Sequence, residues 1–270
     1  MEIEVFELAD DGYRLTPVGE ELVEDDHSLE EYDLRGSQAA FDLSLAGLAE
    51  RLTSGANGCR TASGESLADA LRTDVRLGAS ARTAIEDEAR WVSTGVAAAY
   101  DWSAVDVLGA AGTGAGTVVN ALVKGFPGLR VKIAALQSVL DVLGEQILDP
   151  EVLPRVELVA QTRPVPSDAG TLLLCRLLEW LPDEDAVLTL TEAAAALPAD
   201  GSLVLVEQVE AADPDDIDAV LHHLRLTAAF GSGLRSVKEV TALAERAGLT
   251  VRDCRDVGWD HRLWVLTPTG

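Results

Sequence analysis

From residue 101 to the C-terminus, short apolar runs alternate with segments whose apolar positions recur at helical spacing. The runs lie at 105–109, 130–134, 156–160, 171–176, 202–207, 250–257 and 261–267, and the helical stripes near 115–125, 136–146, 183–197, 215–229 and 236–247. Short runs rich in apolar and β-branched residues predict strands. Their alternation with helices predicts an α/β fold with a doubly wound, parallel sheet. The last two runs are separated only by Gly258-Trp259-Asp260. A parallel crossover needs a far longer connection, so the final strand must run antiparallel to its neighbour. Six parallel strands with a terminal antiparallel strand follow.

Upstream the pattern changes. Phe41, Leu43, Leu45 and Leu48 mark one helical segment and Ile85, Trp91, Val92 and Val96 another, with a loop rich in Gly, Ser and Asn from Ser54 to Ser66 between them. Trp91 on such a stripe reads first as core and second as the wall of a ligand cavity. Nearer the N-terminus, Phe6 and Leu8, a turn at Asp10-Asp11-Gly12, then Tyr13 and Leu15 predict a β-hairpin, after which Thr16 and Pro17 open a helix. A hairpin and one helix enclose almost no core and must lean on the rest of the chain. The chain therefore divides at 1–35, 36–100 and 101–270.

Charge narrows the functional classes. The 270 residues carry 46 acidic against 21 basic side chains, a formal net charge of −25. Such a surface repels phosphate backbones and anionic lipid, which argues against nucleic-acid and membrane partners. Cys59, Cys175 and Cys254 stand far apart with no CxxC pair, so they are expected reduced and buried, without zinc. The N-terminus has acidic residues where a signal peptide carries basic ones, which places the expected compartment in the cytoplasm.

One turn carries candidate chemistry. After the first run of the sheet comes Ala110-Ala111-Gly112-Thr113-Gly114-Ala115-Gly116. Alternating glycines at a strand-to-helix turn let backbone approach a ligand and aim amides at it. The spacing is GxGxG rather than the dinucleotide GxGxxG, and a tight small-residue turn with no ligand is the plain alternative.

Several segments, in order, resemble the S-adenosylmethionine-dependent O-methyltransferases of small molecules, the plant phenolic and bacterial polyketide or phenazine type. Phe6 to Gly19 resembles the wing of that family's N-terminal winged helix, and Tyr100-Asp101-Trp102-Ser103 the lead into its cofactor domain. Leu177 to Val187 resembles the signature VLHDWPDEDAV, and Ala196 to Pro198 with Gly201 to Glu207 resembles ALPPGGRLLVVE. The resemblance implies a class I methyltransferase-like sheet, a helical connector over 36–100, a winged-helix remnant over 1–35, and cofactor contacts at Gly112, Gly114 and Gly116.

The departures from the family are concentrated at its functional positions. Its acid before the glycine turn falls on Ala110, its ribose-binding acid on Ala135, its acid near the adenine on Thr162, and its catalytic His on Glu179. A carboxylate accepting ribose hydroxyls makes charge-assisted hydrogen bonds of ~1.5–3 kcal/mol each, which alanine cannot make. Gln137 and Gln161 are the nearby side chains that could take over such contacts. Glu179 reads either as a general base raised by burial or as a surface partner of Arg176. The family's helices before the wing have no counterpart ahead of Phe6, so the expectation is either altered pairing, with a homologous subunit or as a changed homodimer, or a shortened gene product.

Other constellations are weaker. His222, His223 and His261 lack metal-ligand spacing, and Gly231-Ser232-Gly233 lacks the spacing of a hydrolase elbow. By resemblance, His222 and His223 lie where the family lines its acceptor pocket, and Trp91 is a third substrate candidate. Two readings stand. The joint loss of three acids and a His favours a non-methylating descendant or partner subunit in small-molecule metabolism. The surviving glycines favour an active O-methyltransferase with S-adenosylmethionine as cofactor and Glu179 as base.

Overall fold

The computed structural model describes residues 5–9, 12–24, 33–55, 65–161, 165, 168–211, 213 and 215–269. Near the N-terminus, β1 (Phe6–Ala9) and β2 (Gly12–Leu15) form the expected antiparallel hairpin, with Asp10 and Asp11 of its turn outside the described residues. In α1 (Pro17–Glu24), the Thr16 hydroxyl accepts from the Gly19 amide at 3.2 Å, the cap read from the sequence. The connector holds more helices than the two stripes predict: α2 (Ser37–Ser44), α3 (Leu48–Ser54), α4 (Leu67–Thr73), α5 (Val75–Glu88) and α6 (Arg90–Ala99). Asp74 caps α5 by accepting from the amides of Arg76 and Leu77.

The remainder is one seven-stranded sheet. It is built from β3 (Val107–Gly112), β4 (Arg130–Ala135), β5 (Val156–Ala160), β6 (Thr171–Cys175), β7 (Ser202–Gln208), β8 (Leu249–Gly258) and β9 (His261–Pro268). Its order is β5-β4-β3-β6-β7-β9-β8. β3 to β7 pair in parallel, and β9 lies antiparallel to both β7 and β8, so six strands share one direction and the last opposes them. This is the topology the short Gly258–Asp260 connection demanded.

Helices cover both faces of this sheet: α7 (Ala115–Gly125) and α8 (Gln137–Val142) follow β3 and β4, α9 (Asp183–Ala196) precedes β7, and α10 (Ile217–Phe230) and α11 (Val237–Arg246) follow it. Alternation along β6 sorts the core: Leu173 and Cys175 join Val118, Leu122 and Ile133 on one side, while Leu172 and Leu174 join Leu190, Leu243 and Trp264 on the other. The 136–146 stripe is only partly α-helical. After Val142 the chain widens into a π-turn, Leu143–Ile147, whose last carbonyl accepts from Asn120 Nδ2 at 2.7 Å. Cys175 is buried, but Cys254 is exposed on the edge strand β8, which corrects the expectation for that thiol; Cys59 lies outside the described residues.

Candidate functional site

A cavity of about 540 Å³ opens over the carboxyl ends of β3, β4 and β6, where strand order reverses direction in the chain. Clefts of doubly wound sheets form at this switch point because the turns leave the two neighbouring strands in opposite directions. Thr113 of the glycine turn, Leu136, Val139, Phe41, Trp180 and Phe230 line it, with Trp180 Nε1 donating to Thr113 Oγ1 at 3.0 Å. Those three rings form a cluster, with Trp180 to Phe230 centroids 5.4 Å apart and nearly perpendicular planes. A smaller hollow of about 90 Å³ adjoins the same Phe41, Ile85 and Trp180 wall and is bordered by Arg176, Glu88 and His222.

The glycines of the turn are needed first for protein packing. A Cβ on Gly112, whose φ is +107°, would sit 2.0 Å from the Cys175 carbonyl oxygen. On Gly114 it would meet Ala89 Cβ at 2.8 Å, and on Gly116 the Leu143 side chain at 2.7 Å and Glu86 Oε2 at 3.2 Å. Helix α5 therefore presses directly on the turn. Its Glu86 is fully buried, and Oε1 accepts from the amides of Gly114 and Gly116 at 3.1 and 3.3 Å while Oε2 accepts from Thr117 at 2.8 Å. One helical turn earlier, Arg82 Nη1 donates to the Gly112 carbonyl at 3.3 Å and stands 3.9 Å from Glu86 Oε1. A carboxylate at a helix N-terminus, with amides aimed at it, is the arrangement such turns offer to anions. Neither residue was singled out in the sequence: the i,i+4 pair resembles an exposed helix bridge, and only tertiary packing buries it.

Glu179 belongs to a second buried cluster. Arg176 follows β6 with φ +48°, which ends the strand one residue before the apolar run predicts. Its Nε donates to Glu179 Oε1 at 3.0 Å and its Nη1 to Glu88 at 2.7 Å. The pairing of Arg176 with Glu179 was legible, but both are buried, not at the surface. Burial pushes the Glu179 carboxyl upward, yet the Arg176 guanidinium, with His222 beside it, brings it down to about 2. A carboxylate held ionised that firmly is a weak proton acceptor, which corrects its assignment as a base raised by burial. Its free oxygen, Oε2, lies 3.7 Å from His222 Nε2, and neither atom has a hydrogen-bond partner.

Glu207, at the end of β7, completes the corner. Oε1 accepts from the Leu177 and Leu178 amides, both at 2.9 Å, and Oε2 from the Glu179 amide at 3.3 Å, fixing the turn that carries Glu179. Burial and then the Glu179 charge push its carboxyl up to about 8 against the opposing pull of those amides.

The remaining sequence candidates scatter. Ala110 is buried within β3, and Ala135 ends β4 with its carbonyl accepting from Gln161 N at 2.9 Å. Gln137 Nε2 donates to Asp141 and Gln161 Nε2 to the Val165 carbonyl, so both are engaged locally. Thr162 lies outside the described residues. Of the two histidines, only His222 borders the hollow; His223 stands against Gly233 and lines a separate shallow groove near Glu210 and Leu234. Trp91 is neither core nor cavity wall. It is 65% exposed and packs on Trp259 at 5.2 Å, because the buried face of α6 runs through Val92, Val96 and Ala99. Among the described residues, no group of three or more His, Cys, Asp or Glu side chains could hold a metal ion, and no helix is long and apolar enough to cross a membrane.

Fold and cleft together define a class I methyltransferase-like α/β protein with an apolar, aromatic-walled site. Residues 46–250 match the O-methyltransferase domain family, and the chain belongs to it. It is 30% identical to the 2,7-dihydroxy-5-methyl-1-naphthoate 7-O-methyltransferase of Streptomyces carzinostaticus over 252 residues, 92% of this chain and 75% of that one. It is 28% identical to the aclacinomycin 10-hydroxylase RdmB of Streptomyces purpurascens over 84% of this chain and 62% of that one. Among solved structures it resembles an O-methyltransferase of neocarzinostatin biosynthesis in complex with S-adenosyl-L-homocysteine and 1,4-dihydroxy-2-naphthoic acid. The TM-score is 0.83 at 28% identity, covering 98% of this chain and 81% of that one.

Proposed function

We propose that the protein is a small-molecule O-methyltransferase that binds S-adenosylmethionine in the large cleft and methylates a hydroxyl of a flat aromatic acceptor. The observation carrying this reading is the 540 Å³ cleft itself, bounded by the glycine turn and walled by Phe41, Trp180 and Phe230. Apolar clefts of this size with a few converging polar groups suit a nucleoside thioether and an aromatic ring. The naphthoate acceptor named for one relative is of that shape. Thr113, Leu136, Ser138 and Val139 would hold the cofactor. When bound, the cofactor supplies an electrophilic methyl group.

The chain's own part is to position the acceptor and remove its proton. The aromatic cluster stacks and orients the ring, and excludes water from it. His222 is the proton acceptor of this reading, since it borders the hollow beside Trp180 and Ile85. The ionised Glu179 facing its Nε2 stabilises the imidazolium formed when the proton is taken. Titration calorimetry with S-adenosylmethionine and S-adenosylhomocysteine, followed by mass spectrometry of incubations with dihydroxynaphthoates, tests the reading. Micromolar binding and a singly methylated product are expected; silence to millimolar ligand and no product would overturn it. His222→Ala is expected to lower kcat by roughly 10²–10³ while leaving S-adenosylhomocysteine affinity unchanged.

A second reading, a non-methylating descendant or partner subunit, is favoured by the absence of a carboxylate at Ala110 and Ala135 and by a relative named as a hydroxylase. A shared fold does not fix the reaction. Silent calorimetry together with stabilisation by a homologous methyltransferase chain would select it.

A further inference from the structure

Resting on the methyltransferase reading above, we infer that Arg235 is a positioning residue for the acceptor side of the cleft. It fixes the turn from Leu177 to Leu181, on which Trp180 forms the cleft wall and Glu179 faces His222. Arg235 itself borders neither the cleft nor the adjoining hollow. Its guanidinium is buried, and Nη1 donates to the Leu178 carbonyl at 2.7 Å while Nη2 donates to the Leu181 carbonyl at 2.6 Å. These two carbonyls bracket Glu179 and Trp180 in sequence. Nε donates to Asp183 at 3.0 Å, so all three nitrogens are engaged.

The amides of the turn are held by Glu207, and its carbonyls by the loop that follows α10. In that loop Ser232 Oγ donates to the Glu179 carbonyl at 2.6 Å, beside the two carbonyls taken by Arg235. Thr227, in the last turn of α10, donates to the Ser232 carbonyl at 2.9 Å. The same helix carries His222, so hydrogen bonds to three successive-turn carbonyls set where Glu179 stands relative to it. Trp180 Nε1 also donates to the Arg176 carbonyl at 2.9 Å, and a shift of the turn would draw the indole away from that carbonyl and from Thr113. A planar guanidinium with fixed N–H directions holds two carbonyls at once, whereas a lysine ammonium is a compact charge on a flexible stem.

The test compares Arg235→Lys with Asp183→Asn on the full chain, well below the melting temperature of each. Arg235→Lys keeps the charge beside Asp183 and gives up the paired carbonyl contacts. It is expected to lower kcat on dihydroxynaphthoates roughly 10–10²-fold while S-adenosylhomocysteine affinity stays within about twofold of wild type. Asp183→Asn keeps the carbonyl contacts and should match wild type. The placement of Trp180 is read without turnover: the near-ultraviolet circular dichroism that Trp180→Phe removes from wild type should be largely lost in Arg235→Lys and retained in Asp183→Asn. A lower melting temperature with kcat and this band unchanged means a purely structural role and overturns the inference. So does an equal loss of kcat in Asp183→Asn, which assigns the effect to the ion pair. Ser232→Ala releases the Glu179 carbonyl alone and serves if Arg235→Lys does not fold; it should lower kcat several-fold, and wild-type kcat and band in it overturn the inference. Wild type that forms no methylated product overturns the methyltransferase reading, and the band comparison still decides whether Arg235 places Trp180.

Discussion

Glu179 and Glu207 share one buried corner, yet their carboxyl groups are driven in opposite directions, to about 2 and about 8 from an ordinary 4.5. The signs for stability are therefore opposite. The contribution of Glu179 is present above pH 4.5 and is lost as pH falls toward 2; that of Glu207 is present below 4.5 and is lost as pH rises through 8. Glu207→Gln should consequently gain on wild type with rising pH, by at most ~1.4 kcal/mol per unit between these limits. Urea denaturation at pH 5 and pH 8 measures this, and equal pH dependence in the two proteins would refute it. Glu179→Gln leaves Arg176 buried with Glu88 as its remaining carboxylate partner and should cost about 3–5 kcal/mol at neutral pH. Sequence spacing put Arg176 and Glu179 within reach of each other. It gave no sign of depth, because whether a polar residue after a strand is covered depends on what packs above it, here α5 and α10. Glu86 was hidden for the same reason.

Strands and helices of the sheet were legible because short apolar-rich runs alternate with amphipathic stripes, a pattern that a doubly wound sheet buries. The connector was read as two helices instead of five because its alanines and short turns blur the period, and α4 and α5 are separated by Asp74 alone. The glycine turn was read as a ligand cradle, with a tight small-residue turn as the alternative, and each of its glycines is also sterically required by a neighbouring element. That steric requirement has a test. Gly112→Ala combines a left-handed φ with a collision against β6 and should cost roughly 3 kcal/mol or more. Gly125→Ala, at the end of α7 with open space around its Cβ, should match wild type or gain up to ~1 kcal/mol. Thermal melts of the two variants separate packing glycines from permissive ones.

Across the whole molecule the net charge of −25 opposes compaction. Self-repulsion of this kind is screened within ~10 Å at about 0.1 M salt, so the melting temperature should climb steadily from low to molar sodium chloride. A flat salt dependence would show that local pairs such as Arg130–Asp106 and Arg246–Glu184 already offset the field. The placement of the last strand has its own consequence for how the chain reaches this state. β9 follows both β7 and β8 in sequence but lies between them. During synthesis, β7 waits with an open edge and β8 has no partner until β9 emerges, so the sheet closes only when that strand inserts. Strand β9 thus acts as a molecular zip fastener, and removing it should send nascent chains toward aggregation rather than toward a smaller folded domain.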